Sequence, residues 1–152
     1  MIIVDSADFN KSNVFNLDQL TKKGIRKGFY FIGRDLVKES RRLINKKPKS
    51  GLYYIVNEGL GGKILKHPRL HKASAPGEAP AVITGKLRKS VTFEVKNYNL
   101  LIFGSTIEYG ESLENGAGRL RSRPFLYPAI LNKNKNSTLF LRNNIIKSIN
   151  NY

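Results

Sequence analysis

The sequence lacks several residue types on which small functional sites depend. It has no cysteine and no tryptophan, and its two histidines are His67 and His71. The absence of cysteine excludes disulfides, thiol chemistry and cysteine-rich zinc sites. Pro68 stands between the histidines and disfavours a helix that would place both on one face, and no carboxylate follows until Glu78. We therefore expect no metal site and no cofactor.

Long apolar runs are also missing. The apolar start Met1–Val4 is followed at once by Asp5, so it is too short for the hydrophobic region of a signal peptide. No other run approaches the length that crosses a bilayer. We therefore expect no membrane partner.

Acidic residues are few. The chain has 11 Asp and Glu against 27 Lys and Arg, a formal net charge of +16 over 152 residues. Such a charge favours a polyanionic partner, which could be nucleic acid, an anionic membrane or an acidic protein face, although a lysine-rich genome gives the same bias without function. Hydrophobic residues still make up 40%, which is typical of a globular chain. We predict one domain over residues 1–152.

Helical periodicity is present near both ends of the chain. Apolar residues at short helical spacings predict a long amphipathic helix over 17–44, which Asn16 caps. A second helix is predicted over 128–149, with a polar middle that could interrupt it. Gly24 and Gly28 lie one turn apart in the first helix, where each costs about 1 kcal/mol relative to alanine. We therefore predict that a sheet or a second helix approaches them closely.

Four short strands are predicted between the helices, and they give an α+β fold with one small antiparallel sheet. The strands cover 52–56, 91–95, 100–103 and 119–125. The stretch 57–86 is rich in glycine and proline without periodicity, so we predict a long extended loop or arm, of which residues from about 59 to 81 make few contacts inside their own subunit. The predicted core residues are Ile32, Leu36, Val91, Phe93, Val95 and Ile102.

Residues that could carry out catalysis are hard to find. Glu108, Glu111 and Glu114 lie three residues apart, and paired carboxylates can transfer protons. Three arginines follow closely, so balancing their charge is the simpler role. Residues 57–64 approach a phosphate-binding loop but lack its first glycine and the Ser or Thr after the lysine. We predict no catalytic residue, and a protein that is not an enzyme.

Two stretches resemble a known family. The first covers 71–81, His-Lys-Ala-Ser-Ala-Pro-Gly-Glu-Ala-Pro-Ala, and continues with Thr-Gly-Lys-Leu-Arg-Lys-Ser at 84–90. The second covers 109–116, Tyr-Gly-Glu-Ser-Leu-Glu-Asn-Gly, and continues with Arg-Pro-Phe-Leu at 123–126. In this order and spacing they resemble the tail-component family named after gene product ten of a lambdoid siphophage. Its members are neck, tail-completion or head–tail joining proteins; Gly110 stands where they usually have alanine.

This resemblance implies a structural virion protein that forms a closed ring at the neck or tail top, with six copies by family analogy. It implies assembly in the host cytoplasm and a final place in the phage particle. The expected partners are further copies of the chain, adjoining head-closure, tail-terminator or tail-tube proteins, and DNA that passes through the ring. The high charge leaves one alternative open, a basic protein that binds nucleic acid without sequence preference.

The resemblance and the charge together predict interface residues. Basic side chains of the arm are expected to meet an acidic face of an adjoining protein rather than DNA, because a dense basic channel lining would hold phosphates and slow ejection. The predicted subunit or partner interface consists of Lys63, Lys66, Arg69, His71, Lys72, Pro76, Glu78, Pro80, Arg119, Arg121 and Arg123.

Overall fold

A computed structural model describes residues 11–98 and 100–150 and confirms the α+β class. The described strands form two separate two-stranded antiparallel sheets, β1–β2 and β3–β4, in place of the predicted sheet of four. In chain order the elements are α1 Lys11–Asn45, β1 Tyr53–Glu58, a 3₁₀ turn Leu60–Gly62, β2 Ile64–Lys72, α2 Lys86–Ser90, β3 Val91–Lys96, β4 Leu100–Ser105, α3 Tyr109–Asn115 and α4 Tyr127–Asn150.

Helix α1 is longer than the sequence pattern predicts. It begins at Lys11, so Asn16 lies inside the helix and the predicted N-cap is wrong. Asparagine is favoured at a helix start, but inside a helix it costs well under about 1 kcal/mol, so neighbouring residues can override the signal. The other end agrees with the prediction: α1 ends at Asn45, ahead of Pro48.

Helices α1 and α4 pack directly against each other. A Cβ atom on Gly24 would lie 2.9 Å from the carbonyl oxygen of Asn144 and from the Cα of Ile145. A Cβ on Gly28 would lie 2.9 Å from Leu141 Cδ1. The predicted close approach at these glycines is therefore confirmed, and the approaching element is a helix.

Helix α4 runs without a break through its polar middle, so the suggested interruption is wrong. Asn132 donates from Nδ2 to Glu39 Oε1 at 2.8 Å. Lys133 Nζ lies 3.8 Å from Asp35 Oδ2. These polar side chains of α4 therefore attach it to α1, and a polar composition does not require a loop here.

The β3–β4 hairpin confirms the alternation predicted for residues 91–95. Val91 is fully buried, and Phe93 and Val95 are half-buried on the same face. The register pairs Phe93 with Phe103 and Glu94 with Ile102, so Ile102 lies on the outer face and is 42% exposed. Ile102 was wrongly predicted as core because the sequence does not fix which face of the second strand turns inward.

The rest of the core comes chiefly from α1 and from Phe125, which lies just before α4. Ile32 and Leu36 are buried as predicted. Phe125, which the sequence analysis did not single out, is fully buried in one cluster with Val37, Ile44, Leu87 and Val91.

The predicted extended loop over 57–86 is wrong for its first half. Residues Ile64–Lys72 form β2, which pairs with β1 in a register that places Tyr53 opposite Lys72 and Val56 opposite Arg69. Pro68 is compatible with β2 because each strand of a two-stranded sheet has an outer edge that needs no N–H donor. The glycine-rich stretch between the strands is their connection.

The strand predicted over 119–125 is wrong. Residues 119–125 hold no strand, and a single bridge joins Ala117 to Leu120. The backbone there is occupied by local contacts, since Arg123 N–H donates to Leu113 O at 2.6 Å.

The short helix α3 supplies the cap of α4. It ends at Asn115, and Gly116 follows as its C-cap. The Glu114 carboxylate accepts backbone N–H bonds from Phe125, Leu126 and Tyr127 at 2.7, 2.9 and 2.7 Å, at the N-terminus of α4. An anionic acceptor is favourable at that position because the first N–H groups of a helix have no partner inside it. The charge-balancing role predicted for Glu114 is therefore replaced by capping.

Replacing Glu114 with alanine should lower the free energy of unfolding by about 1–2 kcal/mol, the usual cost of losing a helix N-cap. Urea denaturation followed by circular dichroism measures the loss. Glu111→Ala is the matched control, since Glu111 is exposed on the same helix. Equal losses in the two variants would contradict the capping role.

Candidate interaction surface

The β1–β2 hairpin encloses a cleft against the rest of the chain. The two strands pack chiefly on each other. At the tip of the hairpin, Gly61 N–H donates to Thr84 O at 2.8 Å. Between tip and base, a cleft of about 710 Å³ separates the hairpin from the C-terminal end of α1 and from α2.

The cleft has a strongly basic lining. No carboxylate belongs to it among the residues that the structure describes. Lys49 is nearly buried and donates to Leu43 O at 3.3 Å and to Ala79 O at 2.7 Å, and burial lowers its pKa. The basic and imidazole side chains of the lining are Lys47, Lys49, Arg69, His71, Lys72 and Arg88.

The cleft is also lined by apolar side chains. Tyr53 and Leu70 are 61% and 67% exposed, on the same hairpin face as Lys72, whereas Arg69 and His71 lie on the other face. The Lys72 ammonium lies 5.2 Å from the centre of the Tyr53 ring, within the range of a cation–π contact. Ile44 and Val82 line the opposite wall. The cleft therefore combines positive charge with apolar surface, which suits an acidic and partly apolar occupant.

His71 is a strand residue rather than a loop residue. Its ring meets the Tyr54 ring edge-on, with centroids 5.3 Å apart. Burial, followed by the charges of Arg69 and Lys47, lowers the pKa of His71 below its ordinary value of 6.5, so the ring is neutral near pH 7. Its Nε2 is buried without a hydrogen-bond partner in the described part of the chain. A polar group of an occupant could supply that partner.

The predicted interface residues fall into four places. Arg69, His71 and Lys72 come together in the cleft, while Lys63 and Lys66 are exposed elsewhere on the hairpin. Pro76, Glu78 and Pro80 belong to the segment that follows β2, and Arg119, Arg121 and Arg123 precede α4.

The segment after β2 is held by its own subunit, so the prediction of few internal contacts is wrong there. Glu78 accepts bonds from Ser50 Oγ at 2.7 Å, from Ser50 N at 3.1 Å and from Ala75 N at 3.0 Å. These bonds hold the pKa of Glu78 at about 2. Arg123 Nε donates to Ser74 O at 3.2 Å. Glu78 and Arg123 therefore have roles inside the subunit.

Sequence reasoning missed half of the basic lining. Lys47 and Lys49 lie in the short segment between α1 and β1, Arg88 lies in α2, and all three join the hairpin residues in the fold. The run Lys46-Lys47-Pro48-Lys49 after α1 was a signal of positive charge. Nothing in that run indicated which other element it would face.

A second apolar surface lies on α4. Leu131, Leu139 and Ile146 are 58%, 57% and 42% exposed. Spacings of eight and seven residues place them on one side of the helix. This stripe belongs to a different element from the hairpin, so the chain presents two distinct apolar surfaces.

Among the residues that the structure describes, no group of three or more His, Asp or Glu side chains is placed to share a metal ion. Neither long helix, over its described residues, has the apolar stretch needed to span a bilayer. Comparisons with protein-family models, with curated proteins and with solved structures found no match.

Proposed function

We propose that the chain is a structural subunit of a ring at the neck or tail top of a tailed phage, where it completes the tail or joins it to the head. The observation that carries this proposal is the pair of separate apolar surfaces, one on the β1–β2 hairpin and one on α4. A subunit of a closed ring needs two different surfaces, since each copy contacts one neighbour on each side.

The virion role is supported by the two stretches that resemble the phage family. They are distant in sequence and contact each other in the fold, through Gly77 N–H to Ser122 O at 2.9 Å and Arg123 to Ser74. The Glu114 cap joins the two halves of the second stretch. Residues that resemble one family in order and spacing thus form one local unit, which is what a shared architecture requires.

Light scattering after size exclusion tests the ring, and electron microscopy shows whether it closes. The wild-type chain should form a closed oligomer, either alone or in purified particles. Leu131→Glu with Leu139→Glu should weaken association by at least about 100-fold, since each leucine loses about 1.5–3 kcal/mol of burial. Ile102→Glu is the control, because Ile102 is exposed on the outer face of β3–β4. A strict monomer both alone and in particles would overturn the proposal.

The basic cleft favours a second candidate, binding of nucleic acid without sequence preference. Arg69 and Lys72 could contact phosphates, and Tyr53 could stack on a base. Duplex binding of this kind weakens with salt, with a log–log slope of about −0.9 per phosphate contacted. No binding in a gel-shift assay at about 50 mM salt would exclude this candidate.

A further inference from the structure

The basic cleft needs a negatively charged occupant that its own subunit does not provide. Arg69, Lys72 and Lys47 all line the cleft, and no carboxylate belongs to its described lining. The charge of Glu78 partly offsets the lowering of the Lys49 pKa by burial, so Glu78 lies near the cleft. Its carboxylate, however, is bonded to Ser50 and Ala75. Like charges held together destabilise each other, so an acidic occupant would relieve the repulsion.

The occupant should also be apolar in part and should bring hydrogen-bonding groups. Tyr53 and Leu70 expose most of their side chains at the cleft. Covering such surface contributes about 25 cal/mol per Å². The buried Nε2 of His71, which has no partner in the described residues, adds a polar position to be satisfied.

The first ten residues of the chain have this chemistry. They carry two carboxylates, Asp5 and Asp8, and no lysine or arginine, in a chain whose net charge is +16. Their apolar side chains include Ile2, Val4 and Phe9. An acidic, apolar segment in a strongly basic chain matches the cleft in both respects.

This segment cannot reach the cleft of its own subunit. Helix α1 begins at Lys11 and has 35 residues, which gives a length of about 50 Å. The cleft lies at the far end of α1, beside Ile44 and Asn45. Ten residues span at most about 35 Å when fully extended. An occupant with this sequence must therefore come from another copy.

We infer that residues 1–10 of one copy dock in the basic cleft of the next copy, between the β1–β2 hairpin and the end of α1. This inference rests on the proposed ring, because a segment at one end of α1 that binds a cleft at the other end makes a head-to-tail contact. Such contacts repeat from copy to copy and form a closed ring when the rotation between neighbouring copies closes.

Charge reversal in the full chain tests the docking. Asp5→Lys with Asp8→Lys, or Arg69→Glu with Lys72→Glu, should each weaken self-association at least about tenfold in sedimentation velocity, since like charges then face each other. Both reversals in one chain should restore association, and so should an equimolar mixture of the two reversed chains. As a control, Lys22→Glu with Lys23→Glu reverses two charges on the half of α1 that is distant from the cleft. Any loss of self-association in this control should persist when Asp5→Lys and Asp8→Lys are added.

Cross-linking tests which residues meet. The sequence has no cysteine, so every disulfide joins introduced residues. A mixture of Val4→Cys chains and Leu70→Cys chains should form the mixed disulfide under mild oxidation, identified by mass spectrometry of the joined peptides, whereas each chain alone can form only a disulfide with itself. Replacing Leu70→Cys by Ile102→Cys, an exposed position on β4, should abolish that product. Thermal unfolding of each variant checks that the fold is intact.

The outcomes separate the docking from the ring. A closed ring that lacks the Val4–Leu70 cross-link and tolerates both reversals would overturn the docking and leave the proposed function standing. A chain that never assembles would overturn the ring itself. Normal assembly of the Arg69→Glu, Lys72→Glu chain together with lost duplex binding would also overturn the docking, and would assign the cleft to phosphates.

Discussion

Replacing Phe125 with alanine should lower the free energy of unfolding by about 3–5 kcal/mol, the range for removing a fully buried aromatic side chain. Phe125 has no exposed surface and packs with Ile44, Leu87 and Val91 in the buried cluster. The cavity would lie where the C-terminal half of α1, helix α2 and the start of β3 meet. A loss of this size is a large part of the roughly 5–15 kcal/mol that stabilises an ordinary domain.

Urea denaturation of the purified variant measures this effect. Phe140→Ala is the matched control, because Phe140 stacks on Phe31 but is 38% exposed. It should lose clearly less stability than Phe125→Ala, since part of its ring already contacts water. A loss below about 1 kcal/mol for Phe125→Ala would show that the cluster is not the core of the folded chain in solution.

The fold should lose stability in acid as Glu39 takes up a proton. Glu39 is buried in α1 and accepts bonds from Arg42 at 2.7 and 2.8 Å and from Asn132 of α4 at 2.8 Å. The bonds from Arg42, with help from Asn132, lower the pKa of Glu39 from 4.5 to about 2, against the opposing effect of burial. A lowered pKa means that the folded state favours the charged carboxylate.

The stabilisation is therefore complete above pH 4.5 and is lost as the pH falls towards 2. The shift corresponds to on the order of 3 kcal/mol. Thermal unfolding followed at several pH values measures it, and Glu39→Gln should flatten the pH dependence in this window. Glu78 acts in the same direction, so some dependence should persist. Glu111→Gln, at an exposed position, is the control and should keep the pH dependence of the wild-type chain. The same pH dependence of thermal unfolding in Glu39→Gln would contradict the role of Glu39.

The parts of the fold that were predictable are those with one buried face. The alternation of Val91, Phe93 and Val95 indicated β3 because that face turns inward. The periodicity of α1 indicated a long helix for the same reason. Strand β2 escaped notice because most of its side chains are exposed, so no buried face imposes an alternating pattern. Pro68 and the glycines before the strand added signals that are typical of loops.

Only those residues of the candidate surface that are close together in sequence were predictable. Arg69, His71 and Lys72 are close in sequence, and their charge and their place in or beside the first family-like stretch singled them out. Lys47 and Arg88 reach the same cleft only because the hairpin folds over the end of α1. That juxtaposition is tertiary, and the sequence of a single chain holds no record of it.

At the tip of the hairpin, a backbone hydrogen bond from Gly61 N–H to Thr84 O ties the outer wall of the cleft to the segment before α2. A neutral backbone hydrogen bond contributes about 1 kcal/mol net, so its loss shifts the ratio of attached to detached tips by a factor of only about five. The side chain of Leu60, which lies near Gly85, adds to this attachment. An occupant that bridges both walls would select the attached form, so filling the cleft would order the hairpin of the receiving copy.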